Sequence, residues 1–304
     1  MTKKWPGRCD LTFLMLLVTL GAFALAAFGQ QVSSDKAGRT DKNYAPTTMV
    51  KEVDLGLGTG VIFDRYYKRI HGPAVVRISG PWLRRYVSYQ PYGLPADMPA
   101  GTAERFGVTT GRYAELWFDS IQEFAGKEER TGFGPPPGDK SEGLVPPSQY
   151  ANLLLPALPT EEYVDKEPDP DQTAILRWVT VIRYPDNVSV EEGDKWFLEV
   201  HAKEAAQQPG LLRFESTRCL ARPTNMHPMM GANGVVIPDP VSKWIRVNEY
   251  WYHDFAAWRK AVLDSPPRYT KPPWGGEYPF VIMESAFIDY QPDIDFLKGN
   301  YQIP

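Results

Sequence analysis

Apolar and polar residues follow the same series of short patterns twice along this 304-residue chain. In the second half, residues 174–186 are rich in β-branched and aromatic residues and end in a turn signal, which predicts a strand. Residues 189–207 begin with Ser189 and acidic residues and carry apolar residues at helical spacing, which predicts an N-capped helix. The patterns that follow predict a strand, a second strand, a helix capped by Asp254 and a last strand, over residues 210–220, 243–252, 253–265 and 279–290. This order, β-α-β-β-α-β, is that of a ferredoxin-like unit.

The first half predicts the same order with a shorter first strand. The predicted strands and helices span residues 49–55, 63–76, 81–90, 112–118, 119–129 and 152–158. The clearest match joins AELWFDSIQEF (114–124) to NEYWYHDFAAW (248–258), residue by residue at a constant offset of 134. A 22-residue loop follows the second strand in both halves, and a Pro/Gly-rich loop precedes the fourth. Shared loop lengths and loop composition indicate an internal duplication.

The duplication predicts how the halves assemble. A four-stranded sheet with helices on one face leaves its other face bare, and two such sheets can bury their bare faces against each other. We therefore predict an α+β fold with two ferredoxin-like β-α-β-β-α-β repeats packed as a pseudo-dimeric α+β barrel. The first repeat spans 48–164, a polar linker spans 165–173, and the second repeat spans 174–304.

The N-terminal residues predict export. A basic start precedes a 19-residue apolar run (11–29) that ends in small residues, the form of a secretory signal peptide cleaved after Gly29. Residues 30–47 are polar and aperiodic and are expected to be a flexible tether. The expected location is therefore secreted or periplasmic. The alternative is an uncleaved membrane anchor, since 19 apolar residues are just long enough to span a bilayer.

Charge excludes some classes of binding partner, and cysteine content excludes a disulfide. Loss of residues 1–29 removes three basic residues and one acidic residue, which leaves 30 basic and 36 acidic residues and a net charge of −6. The remaining chain has no basic block, which argues against nucleic acid and anionic membrane as partners. Cys219 becomes the only cysteine, so an intramolecular disulfide is excluded.

Three segments of each half carry a family resemblance. YYKRIHGPAVV (66–76), PWLRRY (81–86) and AELWFDSIQEF closely resemble the EthD family of dimeric α+β barrel proteins. KWFLEVHAKEA, PGLLRF and NEYWYHDFAAW match the same pattern in the second half. The resemblance covers residues 48–125 and 174–290. It implies a small-molecule pocket inside each barrel. Family members include an ether-degradation protein, a muconolactone-type isomerase and fungal dehydratases, cyclases and decarboxylases, so the fold is better defined than the reaction.

Two histidines are the first candidates for chemistry. His71 and His201 occupy equivalent places on the first helix of each repeat, each four residues after an aromatic. These aromatics, Tyr67 and Phe197, are candidates for substrate binding, as is the strand residue Phe214. The resemblance implies a pocket position for these histidines and for the strand Tyr86. An imidazole that titrates near neutrality suits proton transfer. The alternative is a buried histidine bonded to the backbone.

The strands supply the other candidates for substrate binding. Arg85 and Arg213 recur in the two repeats, either as a clamp for a carboxylate or enolate or as solvent-facing strand residues. Trp117 and Trp251 also recur and are core or pocket-lining. Phe214 replaces Tyr86 in the second repeat, so the first repeat is expected to hold the more active pocket. The recurring Glu115 and Glu249 are either a carboxylate pair or salt-bridge partners of the recurring arginines.

These observations leave two classes of function open. The first is an exported enzyme that acts on a small apolar or aromatic oxygenated substrate by His-mediated proton transfer, of isomerase, dehydratase or decarboxylase type, or with an ancillary role in oxidative degradation. The second is a non-catalytic protein that binds a hydrophobic ligand or haem. We expect no cofactor and no metal, since His201 and Glu204 lack a third ligand and GLGTG (56–60) lacks a βαβ context. The expected assembly is a monomer with an internal pseudo-dimer, or a homodimer of it.

Overall fold

Segments rich in β-branched and aromatic residues form the strands of this computed structural model, which describes residues 49–56, 64–79, 82–108, 111–120, 124, 150–166, 174–220, 246–276 and 282–298. The strands of the first half are β1 Val50–Gly56, β2 Leu83–Tyr89, β3 Arg112–Phe118, β4 Tyr150–Pro156 and β5 Glu161–Asp165. Those of the second half are β6 Leu176–Ile182, β7 Arg213–Arg218, β8 Arg246–Tyr252, β9 Ile282–Asp289 and β10 Ile294–Asp295.

The helices include α-helical and π-helical turns. The first repeat has π1 Tyr67–His71, α1 Gly72–Ser79 and a short α2 Thr102–Arg105. The second has α3 Val190–Trp196, π2 Phe197–His201, α4 Ala202–Ala205, α5 Phe255–Arg259 and π3 Lys260–Asp264. Ser189 and Asp254 cap α3 and α5 as predicted, accepting hydrogen bonds from the backbone N–H of Glu192 and Ala257. Of the predicted helix 119–129, only residues 119, 120 and 124 lie within the described residues.

Two antiparallel five-stranded sheets confirm the predicted fold class. Sheet 1 has the order β10-β2-β3-β1-β4 and sheet 2 the order β5-β7-β8-β6-β9. Four adjacent strands of each sheet come from one repeat, in equivalent positions: β2-β3-β1-β4 and β7-β8-β6-β9. The sheets also meet along their edges: Leu220 donates its N–H to the carbonyl of Leu154 on β4, and Tyr92 donates to that of Phe287 on β9. These eight strands therefore form a pseudo-dimeric α+β barrel within one chain.

The last strand of each repeat pairs with the sheet of the other repeat. β5 follows β4 of sheet 1 in the chain but pairs with β7 of sheet 2. β10 follows β9 of sheet 2 but pairs with β2 of sheet 1. We call β5 and β10 the exchanged strands. This exchange joins the two repeats within one compact unit.

Apolar packing divides the described core into three layers. One layer lies between sheet 1 and its helices, a second lies between sheet 2 and its helices, and the third lies between the two sheets inside the barrel. The barrel layer takes residues from both sheets, among them Val53, Val87, Val179 and Val247. Among the described residues, no helix is both long enough and apolar enough to cross a bilayer.

Candidate functional site

The inward faces of the strands form three rows in each sheet, because strand residues two apart point the same way and cross-strand partners share a face. The Trp rows contain Arg85, Trp117, Lys51 and Leu155 in sheet 1, and Arg213, Trp251, Arg177 and Ile288 in sheet 2. The central rows contain Val87, Glu115, Val53 and Leu153, and Glu215, Glu249, Val179 and Ala286. The third rows include Tyr89 and Tyr113, and Thr217, Val247 and Val181.

Two acidic and two basic side chains meet at the centre of the barrel. Each repeat contributes one of each kind, at equivalent positions. The guanidinium of Arg177 donates from Nη2 to Glu249 at 2.6 Å and to Glu115 at 3.2 Å. Lys51, which occupies the place of Arg177 in the first repeat, lies 3.7 Å from Glu249 and 3.9 Å from Glu115. All four side chains are at most 10% exposed. The two glutamates thus form a carboxylate pair across the pseudo-twofold axis, bridged by both cations.

The partners of these glutamates correct one expectation. Salt bridges from the recurring Arg85 and Arg213 to Glu115 and Glu249 were one of two alternatives, and Arg177 and Lys51 make these contacts instead. Arg213 instead binds Glu215 at 2.7 Å. The reason is that Arg85 and Arg213 lie towards the ends of the Trp rows, while β1 and β6 carry Lys51 and Arg177 beside the centre.

Glu215 and Glu249 lie directly opposite each other on β7 and β8. Burial raises the pKa of Glu215, and the charge of Glu249 raises it further, so that Arg213 and Lys51 offset only part of the shift. Burial acts in the same direction on Glu249, but Arg177 and Lys51 outweigh it and lower its pKa to about 2. The barrel therefore holds two adjacent carboxyl groups whose pKa values are shifted in opposite directions.

Aromatic rings surround the cations. The guanidinium of Arg177 lies 5.0 Å from the ring centre of Tyr89, 5.9 Å from that of Tyr113 and 5.5 Å from that of Trp251. Burial raises the pKa of Tyr89 to about 12 and that of Tyr113 well above its usual value. The Tyr113 hydroxyl is buried and has no hydrogen-bond partner among the described residues.

Each Trp row ends in an arginine stacked on the tryptophan. Arg85 lies 5.6 Å from the ring centre of Trp117, and Arg213 lies 5.1 Å from that of Trp251. Exposure increases towards these ends, since Glu115 and Glu249 are buried whereas both tryptophans are half-buried and Arg85 is exposed. These four predicted binding residues therefore line the barrel at its two ends.

The predicted histidine of the first repeat lies in a different layer, between sheet 1 and its helix. His71 is the last residue of π1, half-buried, with its ring centre 5.2 Å from that of Tyr67. Tyr67 and Tyr86 are buried and share a hydrogen bond of 2.8 Å between their hydroxyls. The structure thus brings these three residues together on the outer face of sheet 1. The ring of Phe296, next to β10, stacks on Tyr86 at 4.5 Å.

The second repeat has an equivalent arrangement that is more fully buried. His201 ends π2, is 1% exposed, and stacks between Trp196 at 5.5 Å and Tyr269 at 5.2 Å. Burial lowers its pKa to about 3, so its imidazole is neutral near pH 7. Phe197 and Phe214 are buried in the same layer. Six predicted site residues therefore lie outside the barrel and four lie inside it, and the catalytic role of the histidines stays a prediction.

Sequence reasoning missed Lys51, Arg177 and Glu215. Lys51 and Arg177 are the second residues of β1 and β6, and this basic residue at the same place in both repeats is the signal that could have identified them. Glu215 has no such signal because its counterpart is Val87. Among the described residues, no group of three or more His, Cys, Asp or Glu side chains is placed to hold a metal ion.

Comparison with known proteins gives only distant similarity. No protein-family profile and no curated protein matches the sequence. An anthrone oxidase-like protein is similar in structure, with a TM-score of 0.45 and 11% identity, over 82% of this chain and 92% of that one. A mutant chlorite dismutase from Candidatus Nitrospira defluvii is also similar, with a TM-score of 0.36 and 8% identity, over 82% of this chain and 93% of that one. At TM-scores below 0.5 these similarities support no conclusion about activity, and the fold assignment rests on the strand order.

Proposed function

We propose that this chain is a small-molecule enzyme of the EthD-like barrel type that transfers a proton to and from an aromatic, oxygenated substrate inside the barrel. The observation that carries the proposal is the buried pair Glu215 and Glu249, whose pKa values are shifted in opposite directions. Such pairs assign acid and base roles in a site, because one carboxyl group keeps its proton where the other stays ionised.

Each member of the pair has a distinct role. Glu215 gives its proton to a substrate oxygen and takes a proton from the adjacent substrate carbon, so an isomerisation leaves the carboxyl group as it began. Glu249 stays ionised because its pKa is lowered to about 2, and its charge raises the pKa of Glu215. Arg177 and Lys51 hold Glu249 in place and supply positive charge for an oxygen that becomes negative during the transfer.

The lining of the barrel supports an aromatic substrate. Tyr89, Tyr113, Trp117 and Trp251 present rings to the interior, beside the charged centre. The buried hydroxyl of Tyr113 has no partner among the described residues. An unsatisfied buried donor is costly unless a ligand or water completes it, so this hydroxyl favours a ligand site within reach.

Haem, the alternative ligand, does not fit the described part of the barrel. Haem iron takes an axial His, Cys thiolate, Met or tyrosinate. The described inward-facing residues include no histidine and no methionine. Burial raises the pKa of the Cys219 thiol to about 12, and the shifts of Tyr89 and Tyr113 disfavour tyrosinate.

Exchange of a carbon-bound proton tests the proposal without a known substrate. β-Tetralone in D₂O is followed by NMR for loss of the α-hydrogen signal, and we expect the protein to accelerate the exchange. Glu215→Gln should lower the rate by about 10²-fold, the usual contribution of one acid–base group. His71→Ala and His201→Ala are the matched tests of the histidine hypothesis. If either abolishes exchange while Glu215→Gln retains it, the proton-transfer group is the histidine.

We further propose that the chain is exported to the periplasm or secreted. Residues 1–48 lie outside the described residues, so the support is the basic and apolar pattern of the sequence. N-terminal sequencing of the protein from its native source should begin at Gln30. An intact Met1 in a membrane fraction would favour the anchor.

A further inference from the structure

The two ends of the barrel differ in the size of the side chains that face each Trp row. Arg177, in the Trp row of sheet 2, packs against Tyr89 and Tyr113, which form the third row of sheet 1. The pseudo-twofold axis relates these tyrosines to Thr217 and Val247 in sheet 2. The Trp row of sheet 1 therefore faces a threonine and a valine where its counterpart faces two tyrosines. We call this the open end.

The two ends also differ in charge. At the filled end, Arg213 is surrounded by acidic side chains: Glu215 at 2.7 Å, Asp165 at 3.6 Å and Glu162 at 3.8 Å. At the open end, no described carboxylate pairs with the equivalent Arg85, which stacks on the Trp117 ring. The exposed guanidinium of Arg85 is thus available to an anion.

The exchanged strands explain this difference. β5 pairs with β7 along its length, including the pair Asp165 and Arg213, and so brings its acids beside that arginine. β10 has only two residues and pairs with Val87 and Ser88, which stops short of Arg85. In addition, Val87 replaces Glu215 two residues along the strand. Arg85 therefore lacks a described acidic partner for two reasons: β10 is short, and Val87 stands where the second repeat has Glu215.

A hydrogen-bond donor lies at the same place. The indole N–H of Trp117 is buried and has no acceptor among the described residues. Lys51 lies 5.6 Å from the centre of the same ring. Arg85 and one unsatisfied donor thus meet at the open end, opposite small side chains, while Lys51 is paired with Glu115 and Glu249. A guanidinium binds a carboxylate through two parallel hydrogen bonds, and an indole offers an apolar face to a ring.

We propose that the open end binds an aromatic carboxylate, with the carboxylate on Arg85 and the ring between Trp117 and Val247. The inference rests on the proposed function only in taking the barrel interior as the ligand site, and it requires no particular reaction. It names a substrate class that the charged centre alone does not specify, an aromatic acid. The anionic group of this acid lies towards the open end, and the rest of the molecule lies towards Glu215.

The test compares two probes that share a ring system and differ in charge. Isothermal titration calorimetry at pH 7 measures binding of 1-naphthoate and of 1-naphthylmethanol to the full chain. We expect naphthoate to bind at least about tenfold more tightly, the effect of a charge-assisted bidentate contact. Arg85→Gln should remove this preference. Arg84→Gln is the matched control, since Arg84 is next along the strand, exposed, and paired with Asp119.

Two further variants separate the ends. Arg213→Gln should keep the preference for naphthoate, whereas Thr217→Tyr, which gives the open end the tyrosine of the filled end, should weaken both probes; circular dichroism verifies that each variant is folded. The inference is overturned if Arg213→Gln removes the preference, or if the two probes bind equally. Equal binding of the probes with retained β-tetralone exchange would overturn the anion site and leave the proposed function intact.

Discussion

The two repeats are most alike where the exchanged strands join them and least alike where the barrel opens. In the first repeat the buried Arg112 donates to Asp64, Ser88 and Asp293. In the second, Arg246 takes the same place and donates to Asp194, Ser216 and Glu161. Each arginine also lies about 5.3 Å from an aromatic ring, Tyr67 or Phe197.

One acid of each set comes from the other repeat. Asp293 lies next to the exchanged strand β10, and Glu161 begins the exchanged strand β5. We call these sets the arginine hubs. The barrel ends, by contrast, replace tyrosines by threonine and valine, and valine by glutamate. Duplication has kept the groups that hold the repeats together and changed those that line the site.

The largest loss of stability is expected when an arginine hub is removed. Arg246→Met leaves Asp194, whose side chain is 9% exposed, without its main cation, and we expect a loss of about 3–5 kcal/mol in the free energy of unfolding. Arg112→Met should cost less, because Asp64 and Asp293 are about a third exposed and can be hydrated. Urea unfolding followed by circular dichroism measures both losses. A larger loss for Arg112→Met would show that the hubs are not ranked by the burial of their acids.

The next effect tests the buried histidine of the second repeat. His201 has a pKa of about 3 when folded and about 6.5 when unfolded, so the unfolded chain takes up a proton first as the pH falls. The stability that neutral His201 contributes is therefore complete above pH 6.5 and is lost towards pH 3, by about 1.4 kcal/mol per pH unit.

The measurement compares wild type with His201→Phe at pH 7.5 and pH 5. The difference in urea midpoint between the two proteins should shift in favour of the variant at pH 5. His253→Phe, at an exposed position, is the control for loss of a histidine at the surface. If wild type and His201→Phe keep the same difference at both pH values, His201 does not carry this part of the acid sensitivity.

The smallest loss of stability is expected when the hydrogen bond between the Tyr67 and Tyr86 hydroxyls is removed. The second repeat has phenylalanines at these two positions. Tyr67→Phe or Tyr86→Phe removes the hydrogen bond between them, and each should cost about 1 kcal/mol of unfolding free energy. The double variant reproduces Phe197 and Phe214 of the second repeat, so its cost should be less than the sum of the two. A double-mutant cycle in urea provides the coupling energy. Additive losses would mean that the two hydroxyls act independently.

The order of strands and helices could be predicted because each element has its own periodic pattern. Ser189 and Asp254 were identified as caps from local sequence alone, and the structure confirms them. The barrel followed from the duplication, since two bare sheet faces need each other. None of these steps requires knowledge of contacts between distant residues.

The site could be predicted only in part because facing residues are set by packing between sheets. Arg177 meets Glu115 across the barrel, 62 residues away in the chain, and no local pattern links them. The resemblance also directed attention to His71 and His201, while the structure places both in the helix layers. The exchanged strands are short, and their pairing with the opposite sheet depends on the finished barrel.

The exchanged strands also bear on what would happen if the chain were cut. A break between Lys166 and Ala174 would give two polypeptides, each carrying one strand of the other's sheet and one acid of the other's arginine hub. Neither polypeptide could complete its own sheet without the other. The peptide link would then serve mainly to keep the halves at high local concentration. Two co-expressed fragments should reassemble into the barrel, so a split gene could still produce a working protein.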